Sequence, residues 1–99
     1  MVTARSVNGV PIRLTHERWF HIVENHDEMA SHFYDVLEAV ETPQFVVRGN
    51  AGTLKAARSC GKRKWLIVVY REASRNDGFI ITAYFLNAIP KGKIEWPRP

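Results

Sequence analysis

The four histidines of the chain all fall near its N-terminal end: His16, His21, His26 and His32. Because the pKa of an imidazole lies near neutrality, such a cluster is typical of proton transfer or of metal binding. In a helix with about 3.6 residues per turn, residues five apart point in different directions. The four-residue spacing of a helical two-histidine zinc site is missing, and no cysteine or carboxylate completes a ligand set. We therefore expect neither a metal nor another cofactor.

Two of the histidines have positions suited to catalysis. His21 lies with Arg18 and Asn25 on the helix face opposite the apolar stripe, which suits a general acid or base that lines a cleft. The alternative is a surface histidine paired with Glu17, four residues earlier. His26 follows the apolar stripe, where an imidazole either satisfies the carbonyls at the helix end or points over the edge of a sheet. We expect the remaining two, at positions 16 and 32, to be solvated.

The charge of the chain is divided unevenly. Residues 1–47 hold three Arg and seven carboxylates, a net charge of −4, whereas residues 48–99 hold eleven Lys or Arg and three carboxylates, a net charge of +8. A basic protein with a pI near 9.6 favours polyanionic partners. A histidine-bearing segment beside a cationic one is the combination that a small metal-free ribonuclease needs, and RNA is the expected substrate.

The length and the hydrophobic pattern predict one domain over residues 1–99. We expect an extended lead-in over residues 2–14, a helical part over 15–42 and an antiparallel sheet over 44–96. Thr15 is the predicted N-cap of a first helix and Asp27 that of a second, whose apolar stripe is Met29, Phe33, Val36, Leu37 and Val40. Strands are predicted over 45–48, 53–59, 64–71 and 79–86, with a loop at 72–78 and a short edge segment near 94–96. The fold class is therefore α+β, with two N-terminal helices on one face of an antiparallel sheet of four or more strands.

Cysteine usage and hydropathy indicate the compartment. Cys60 is the only cysteine, which excludes an intrachain disulfide and favours a reducing environment. No apolar stretch reaches the length of a membrane span, and the N-terminus lacks an apolar signal-peptide core. We expect a cytoplasmic protein with no membrane contact.

Alternation along the last long strand assigns its two faces. The pattern predicts that Phe79, Ile81, Ala83 and Phe85 face the core, and that Ile80, Thr82 and Tyr84 share the other side. A face with Thr82 and Tyr84 beside cationic strands is a shallow polar platform, on which bases stack while Lys and Arg meet phosphates. The same residues are also common on an ordinary solvated sheet face.

Residues 15–29 carry a more distinctive pattern, Thr15-x-x-Arg18-Trp19-x-His21-Ile22-x-x-x-His26-x-Glu28-Met29. This pattern resembles the helical signature of small phage and bacterial proteins in the barnase–EndoU–colicin–RelE-like nuclease superfamily. The strand segments over 45–48, 64–69 and 78–84 fit the same resemblance, which spans residues 10–96. It implies N-terminal helices packed on an antiparallel sheet and metal-independent cleavage of RNA. Active sites of the superfamily combine a helix histidine, cations on the sheet and a Ser, Thr or Tyr on a late strand.

These considerations give a set of candidate site residues. The expected catalytic groups are His21, His26, Thr82 and Tyr84, and the expected phosphate-binding groups are Arg48, Lys55, Arg58, Lys64 and Arg71. The predicted activity is a toxin-type endoribonuclease that acts by general acid–base transesterification, with an acidic antitoxin as a further expected partner. Two other functions fit the residues: a basic nucleic-acid-binding module without catalysis, whose hairpin KAARSCGKRK holds five cations, and a protein-interaction domain.

Overall fold

The computed structural model describes residues 1–98, which form a seven-stranded sheet and two α-helices. The strands are β1 (Val2–Arg5), β2 (Pro11–Leu14), β3 (Phe45–Arg48), β4 (Leu54–Gly61), β5 (Lys64–Ser74), β6 (Asp77–Leu86) and β7 (Ile94–Trp96). The helices are α1 (His16–Asn25) and α2 (Phe33–Glu41), and short 3₁₀ turns occupy Asp27–Met29 and Asn50–Gly52. Neither helix within residues 1–98 is long and apolar enough to cross a membrane.

The sheet has the strand order β1-β2-β6-β5-β4-β3-β7, and neighbouring strands are antiparallel except β2 and β6. The fold class predicted from the sequence, α+β with two N-terminal helices against a mostly antiparallel sheet, is confirmed. The lead-in over residues 2–14 belongs to this sheet as the hairpin β1–β2. Parallel strands need a long connection between them, and here both helices and the strands β3 to β5 separate β2 from β6 in the chain.

Local capping signals set the ends of the helices. The Thr15 hydroxyl accepts a hydrogen bond from the Arg18 amide at 3.1 Å, which satisfies one free N–H of the first turn of α1. The helix ends at Asn25, as the sequence predicts. Asp27 does not cap the second helix, however, because it begins a 3₁₀ turn and α2 starts at Phe33. At its other end α2 stops before Thr42-Pro43, where the proline ring disfavours helical backbone in the preceding residue.

The core lies between the helices and one face of the sheet, which we call the covered face. Met29, Val36 and Val40 of the predicted apolar stripe are fully buried there, and Ile22 joins them from α1. On the sheet side the core contains Val46, Ala56, Leu66, Val68, Tyr70, Ile80 and Ala83. The helices do not pack on the opposite side, which we call the open face, although α1 lies along the β6 edge of the sheet.

A β-bulge at Ile81 changes the side-chain alternation of β6. Thr82 pairs with Val69 of β5, but Ile80 pairs with the next residue, Tyr70, so Ile81 is an extra residue without a partner in the register. Ile80 and Ala83 are consequently both buried in the core, although they are three residues apart. The predicted orientation is correct for Ala83 and Phe85 but wrong for Ile80, which faces the core, and for Phe79, which pairs with Arg71 on the open face. Strict alternation fails here because it assumes a regular strand, and Ile81 is the extra residue of the bulge.

The hairpin between β5 and β6 is tighter than the sequence predicts. β5 continues to Ser74 and β6 begins at Asp77, so the predicted loop over 72–78 is reduced to a two-residue turn. Gly78 lies where β6 meets β2, and a Cβ atom there would be 2.5 Å from the Ile12 side chain. The glycine therefore permits the close approach of these two strands.

Candidate functional site

Helix α1 lies along the outer edge of β6. The strand β2 pairs with β6 only through Gly78 and Phe79, so from Ile80 onwards the described part of β6 has a strand neighbour on one side only. Arg18 donates a hydrogen bond from Nη1 to the Ile81 carbonyl at 3.4 Å. Helix and strand enclose a cleft of about 180 Å³, which we call the α1–β6 cleft. It is lined by Arg18, His21, Ile22, Asn25, Ile81 and Thr82.

His21 and Thr82, two of the four predicted catalytic residues, line this cleft together. The side chain of His21 is 53% exposed, and its Nδ1 lies 3.5 Å from a carboxylate oxygen of Glu24, not of Glu17 as the alternative interpretation expected. Asn25 donates from Nδ2 to the His21 carbonyl at 2.9 Å. The imidazole is therefore accessible to solvent and lines the same cleft as Thr82, with a carboxylate beside it.

The other two predicted catalytic residues, His26 and Tyr84, are in contact. Their ring centroids are 5.7 Å apart and the ring planes are tilted by 44°. The half-buried imidazole of His26 thus packs against β6, and its Nδ1 lies 3.9 Å from the Glu28 carboxylate. Burial raises the pKa of the Tyr84 phenol, so this group remains a neutral hydrogen-bond donor at neutral pH.

All four predicted catalytic side chains are therefore found along the boundary between α1 and β6. Thr82 and Tyr84 are two residues apart beyond the bulge and share the open face. Two imidazoles and two hydroxyls on one boundary are groups that donate and accept protons. The arrangement is suited to general acid–base chemistry.

The two remaining histidines lie outside this arrangement. His16 is exposed, as predicted. His32 is not fully solvated, because its Nδ1 lies 2.9 Å from Asp35 and its ring meets Phe85 edge to face at 5.1 Å. The expectation for His32 is wrong, and the residue packs where α2 begins.

Three of the five predicted phosphate-binding residues lie on the covered face and have partners there. Arg48 forms an ion pair with Glu95 at 2.5 Å. Arg58 pairs with Glu38 at 3.0 Å and also donates to the carbonyl of Thr42 at the end of α2. The ammonium group of Lys64 lies 4.4 Å from the ring centroid of Phe85. The structure does not bring these three cations to the α1–β6 boundary.

Lys55 and Arg71 lie on the open face, the face of Thr82. Lys55 pairs with Val69, which pairs with Thr82, so two strand spacings, about 10 Å, separate the backbones of Lys55 and Thr82. The Arg71 guanidinium donates to the carbonyl of Ala51. Lys55 is thus the predicted cation placed best for a ligand that extends from the α1–β6 cleft across the sheet.

Arg18 is the cation that the candidate set lacks. It is exposed at the α1–β6 cleft, three residues before His21 and on the same helix face. Within residues 1–98 no carboxylate lies within 4.0 Å of its guanidinium, in contrast to Arg13, Arg48 and Arg58. The sequence feature that identifies Arg18 is its position three residues before His21, since residues three apart in a helix lie on one face.

The open face also carries aromatic rings. Phe45 and Trp65 have ring centroids 6.0 Å apart, and both side chains are partly exposed. Ala57 and Ile67 lie in one row across the sheet, between Phe45 and Tyr84, and both are fully buried. The face is therefore tightly packed. Lys55 shares a row with Val69 and Thr82, and the three rings of Phe45, Tyr84 and Trp65 lie in the rows nearer the β4–β5 turn.

Comparisons with models of known protein families, with curated proteins and with solved structures give no match to this chain. Among residues 1–98 no group of three or more His, Cys, Asp and Glu side chains could hold a metal ion. The fold class follows from the structure, and the nuclease resemblance depends on the residues of the α1 signature and the strands.

Proposed function

We propose that the protein is a metal-independent endoribonuclease of the barnase–EndoU–colicin–RelE-like type. The observation that carries this proposal is the gathering of His21, His26, Thr82 and Tyr84 along the boundary of α1 and β6. The two histidines are about 60 positions from the two hydroxyl residues in the sequence, and the cleft shared by His21 and Thr82 and the contact of His26 with Tyr84 along this boundary support the proposal. The net positive charge of the chain favours a polyanionic substrate.

RNA supplies its own nucleophile, the 2′-hydroxyl group. One imidazole removes the 2′ proton while the oxygen attacks phosphorus, and the other imidazole protonates the departing 5′ oxygen. Each positioned proton transfer contributes about 10²–10⁴-fold to the rate. Thr82 orients the phosphate from the cleft, and the neutral Tyr84 phenol donates a hydrogen bond to it. The products are a 2′,3′-cyclic phosphate and a free 5′-hydroxyl.

The test is cleavage of an RNA oligonucleotide by the purified protein in EDTA, with mass spectrometry of the ends. We expect 2′,3′-cyclic phosphate ends, and a rate lowered about 10²–10⁴-fold by His21→Ala and by His26→Ala. His16→Ala is the matched control, because it removes an exposed histidine of the same helix. RNA that stays intact in the presence of wild-type protein would overturn the proposal. Unchanged cleavage by both variants would show that the acid and base are other residues.

A second candidate function is nucleic-acid binding without catalysis. It is favoured by the open face, where Phe45, Trp65 and Tyr84 lie between the row of Lys55 and the β4–β5 turn, and by the exposed cations Lys62 and Arg63 in that turn. Stacked bases and paired phosphates would give an affinity that falls steeply with salt. Such binding, measured by fluorescence anisotropy between 50 and about 200 mM salt without any cleavage, would select this function.

We further propose that the ribonuclease acts in the cytoplasm as a toxin and that an acidic antitoxin covers its cationic surface. Growth arrest on expression, relieved by His21→Ala but not by His16→Ala, is the expected result. If the wild-type protein and both variants all arrest growth, the toxicity does not depend on catalysis and the proposal is contradicted.

A further inference from the structure

We propose that Arg18 binds the phosphate group of the substrate in the α1–β6 cleft, a task that the sequence pattern assigns to cations of the sheet. This inference rests on the proposed function and specifies the anion subsite within it. The ligand is a ribonucleotide with a phosphate group esterified to its 3′ oxygen.

The first argument is the state of the guanidinium group. Arg18 is exposed, and the hydrogen bond to the Ile81 carbonyl, at 3.4 Å, is its only side-chain hydrogen bond to residues 1–98. That bond is long and is easily exchanged for a stronger partner. A guanidinium group presents parallel N–H donors that match two phosphate oxygens, and such charge-assisted bonds are about twice as strong as neutral ones.

The second argument is that the other arginines considered for phosphate binding already have partners. Arg48 and Arg58 are occupied by carboxylates on the covered face, and Arg71 is held by a backbone carbonyl. Phosphate binding by Arg48 or Arg58 would first require an ion pair to break. Lys55 remains on the open face, but its backbone is about 10 Å from that of Thr82.

The third argument is the shape of the surface around Arg18. A second cleft of about 300 Å³, which we call the Phe79 cleft, lies on its other side. Arg18 lines both clefts, and both follow the outer edge of β6. A nucleotide chain that runs along this edge would place one phosphate at Arg18 and the adjoining nucleosides in the two clefts. The Phe79 cleft is lined by Arg13, Thr15, Arg18, Phe79 and Ile80.

The proximity of His21 and Thr82 gives this anion site a chemical role. A phosphate bound by Arg18 in the α1–β6 cleft lies between an imidazole and a hydroxyl. A preorganised cation at the nonbridging oxygens stabilises the charge that grows in the transition state, and loss of one such donor lowers the rate about 10²–10³-fold.

The test compares Arg18→Ala, Arg18→Lys and the control Arg75→Ala, which removes an exposed arginine from the β5–β6 turn. Two quantities are measured for each protein: kcat/KM on an RNA oligonucleotide, and the Kd for uridine 3′-monophosphate from ¹H–¹⁵N NMR. Thermal unfolding of each variant verifies its fold, which we expect to be retained because Arg18 makes one weak contact.

We expect Arg18→Ala to lower kcat/KM about 10²–10³-fold and to weaken nucleotide binding about tenfold or more, whereas Arg75→Ala changes neither. Arg18→Lys keeps the charge but loses the paired donors, and should fall between them. If Arg18→Ala behaves like Arg75→Ala in both measurements, the inference is overturned. If the wild-type protein does not cleave RNA but the nucleotide shifts the Arg18 Nε–H signal, the phosphate site stands and the proposed catalysis fails. Absence of nucleotide binding to the wild-type protein would also overturn the inference.

Discussion

The substitution Tyr70→Phe should stabilise the protein. Tyr70 is fully buried on the covered face, and among residues 1–98 its hydroxyl has no hydrogen-bond partner. A buried, unpaired hydroxyl is destabilising by about 1–3 kcal/mol, because it has lost its bonds to water without gaining others. Phenylalanine keeps the ring in the core and removes only this group. We therefore expect the free energy of unfolding to rise by about 1–3 kcal/mol at pH 7.

The effect should grow at alkaline pH. Burial, with a smaller contribution from the charge of Glu72, raises the pKa of Tyr70 above its ordinary value of 10.0. Above pH 10 the unfolded chain loses this proton while the folded chain keeps it, so the wild-type stability falls as the pH rises towards the folded pKa. The loss amounts to about 1.4 kcal/mol at pH 11, and the phenylalanine variant does not suffer it.

Urea unfolding followed by tryptophan fluorescence at pH 7 and pH 11 measures both effects. Tyr34→Phe is the control, because Tyr34 is 80% exposed and its substitution should change little. A Tyr70→Phe variant that is less stable than wild type at pH 7 would show that the hydroxyl is satisfied. A difference between Tyr70→Phe and wild type that does not widen between the two pH values would refute the argument on ionisation.

Three further substitutions test particular contacts. Arg58→Ala should lower the free energy of unfolding, measured by urea denaturation, by about 1 kcal/mol, because its bonds to Glu38 and Thr42 are partly exposed. RNA affinity should not change, and weaker RNA binding by this variant would show that Arg58 does contact phosphate. Gly78→Ala should destabilise by about 1–3 kcal/mol in the same assay, because its Cβ would lie 2.5 Å from Ile12 and from a carbonyl of β5; an unchanged midpoint would contradict this close approach. Asp77→Asn should lower Tm at neutral pH, because Arg13 holds the pKa of Asp77 below its ordinary 3.8. The stabilisation is complete above that value and is lost as the pH falls through the lower folded pKa, so the two Tm values should converge in acid.

Local signals made much of the fold predictable from the sequence. Thr15 and the Thr42-Pro43 pair predict helix ends correctly, because capping and the steric effect of proline involve only neighbouring residues. The strand β3 was predicted over its full length, since β-branched and aromatic residues are bounded by proline and glycine. The parallel pairing of β2 with β6 could not be predicted in this way, because it depends on contacts between residues more than sixty positions apart.

The positions of the candidate site residues were harder to predict. Whether a strand cation meets solvent or a carboxylate depends on register and on the packing of the helices, so the ion pairs of Arg48 and Arg58 leave no trace in the local sequence. The bulge at Ile81 is also a tertiary effect, and it puts Phe79 and Ile80 on the faces opposite to the predicted ones. Arg18 and His21, in contrast, are three residues apart on one helix, and that relation was visible in the sequence.

The position of α1 along β6 has a consequence for the solubility of the chain. From Ile80 to Phe85 the strand reads Ile-Ile-Thr-Ala-Tyr-Phe, an uncharged segment of high β-propensity. An unprotected strand edge of this kind is a template on which further copies add as cross-β aggregates. Because α1 occupies this edge, its detachment would expose an aggregation-prone strand and separate His21 from Thr82 in the same event. Fraying of this helix would therefore be expected to appear as turbidity and as lost activity together.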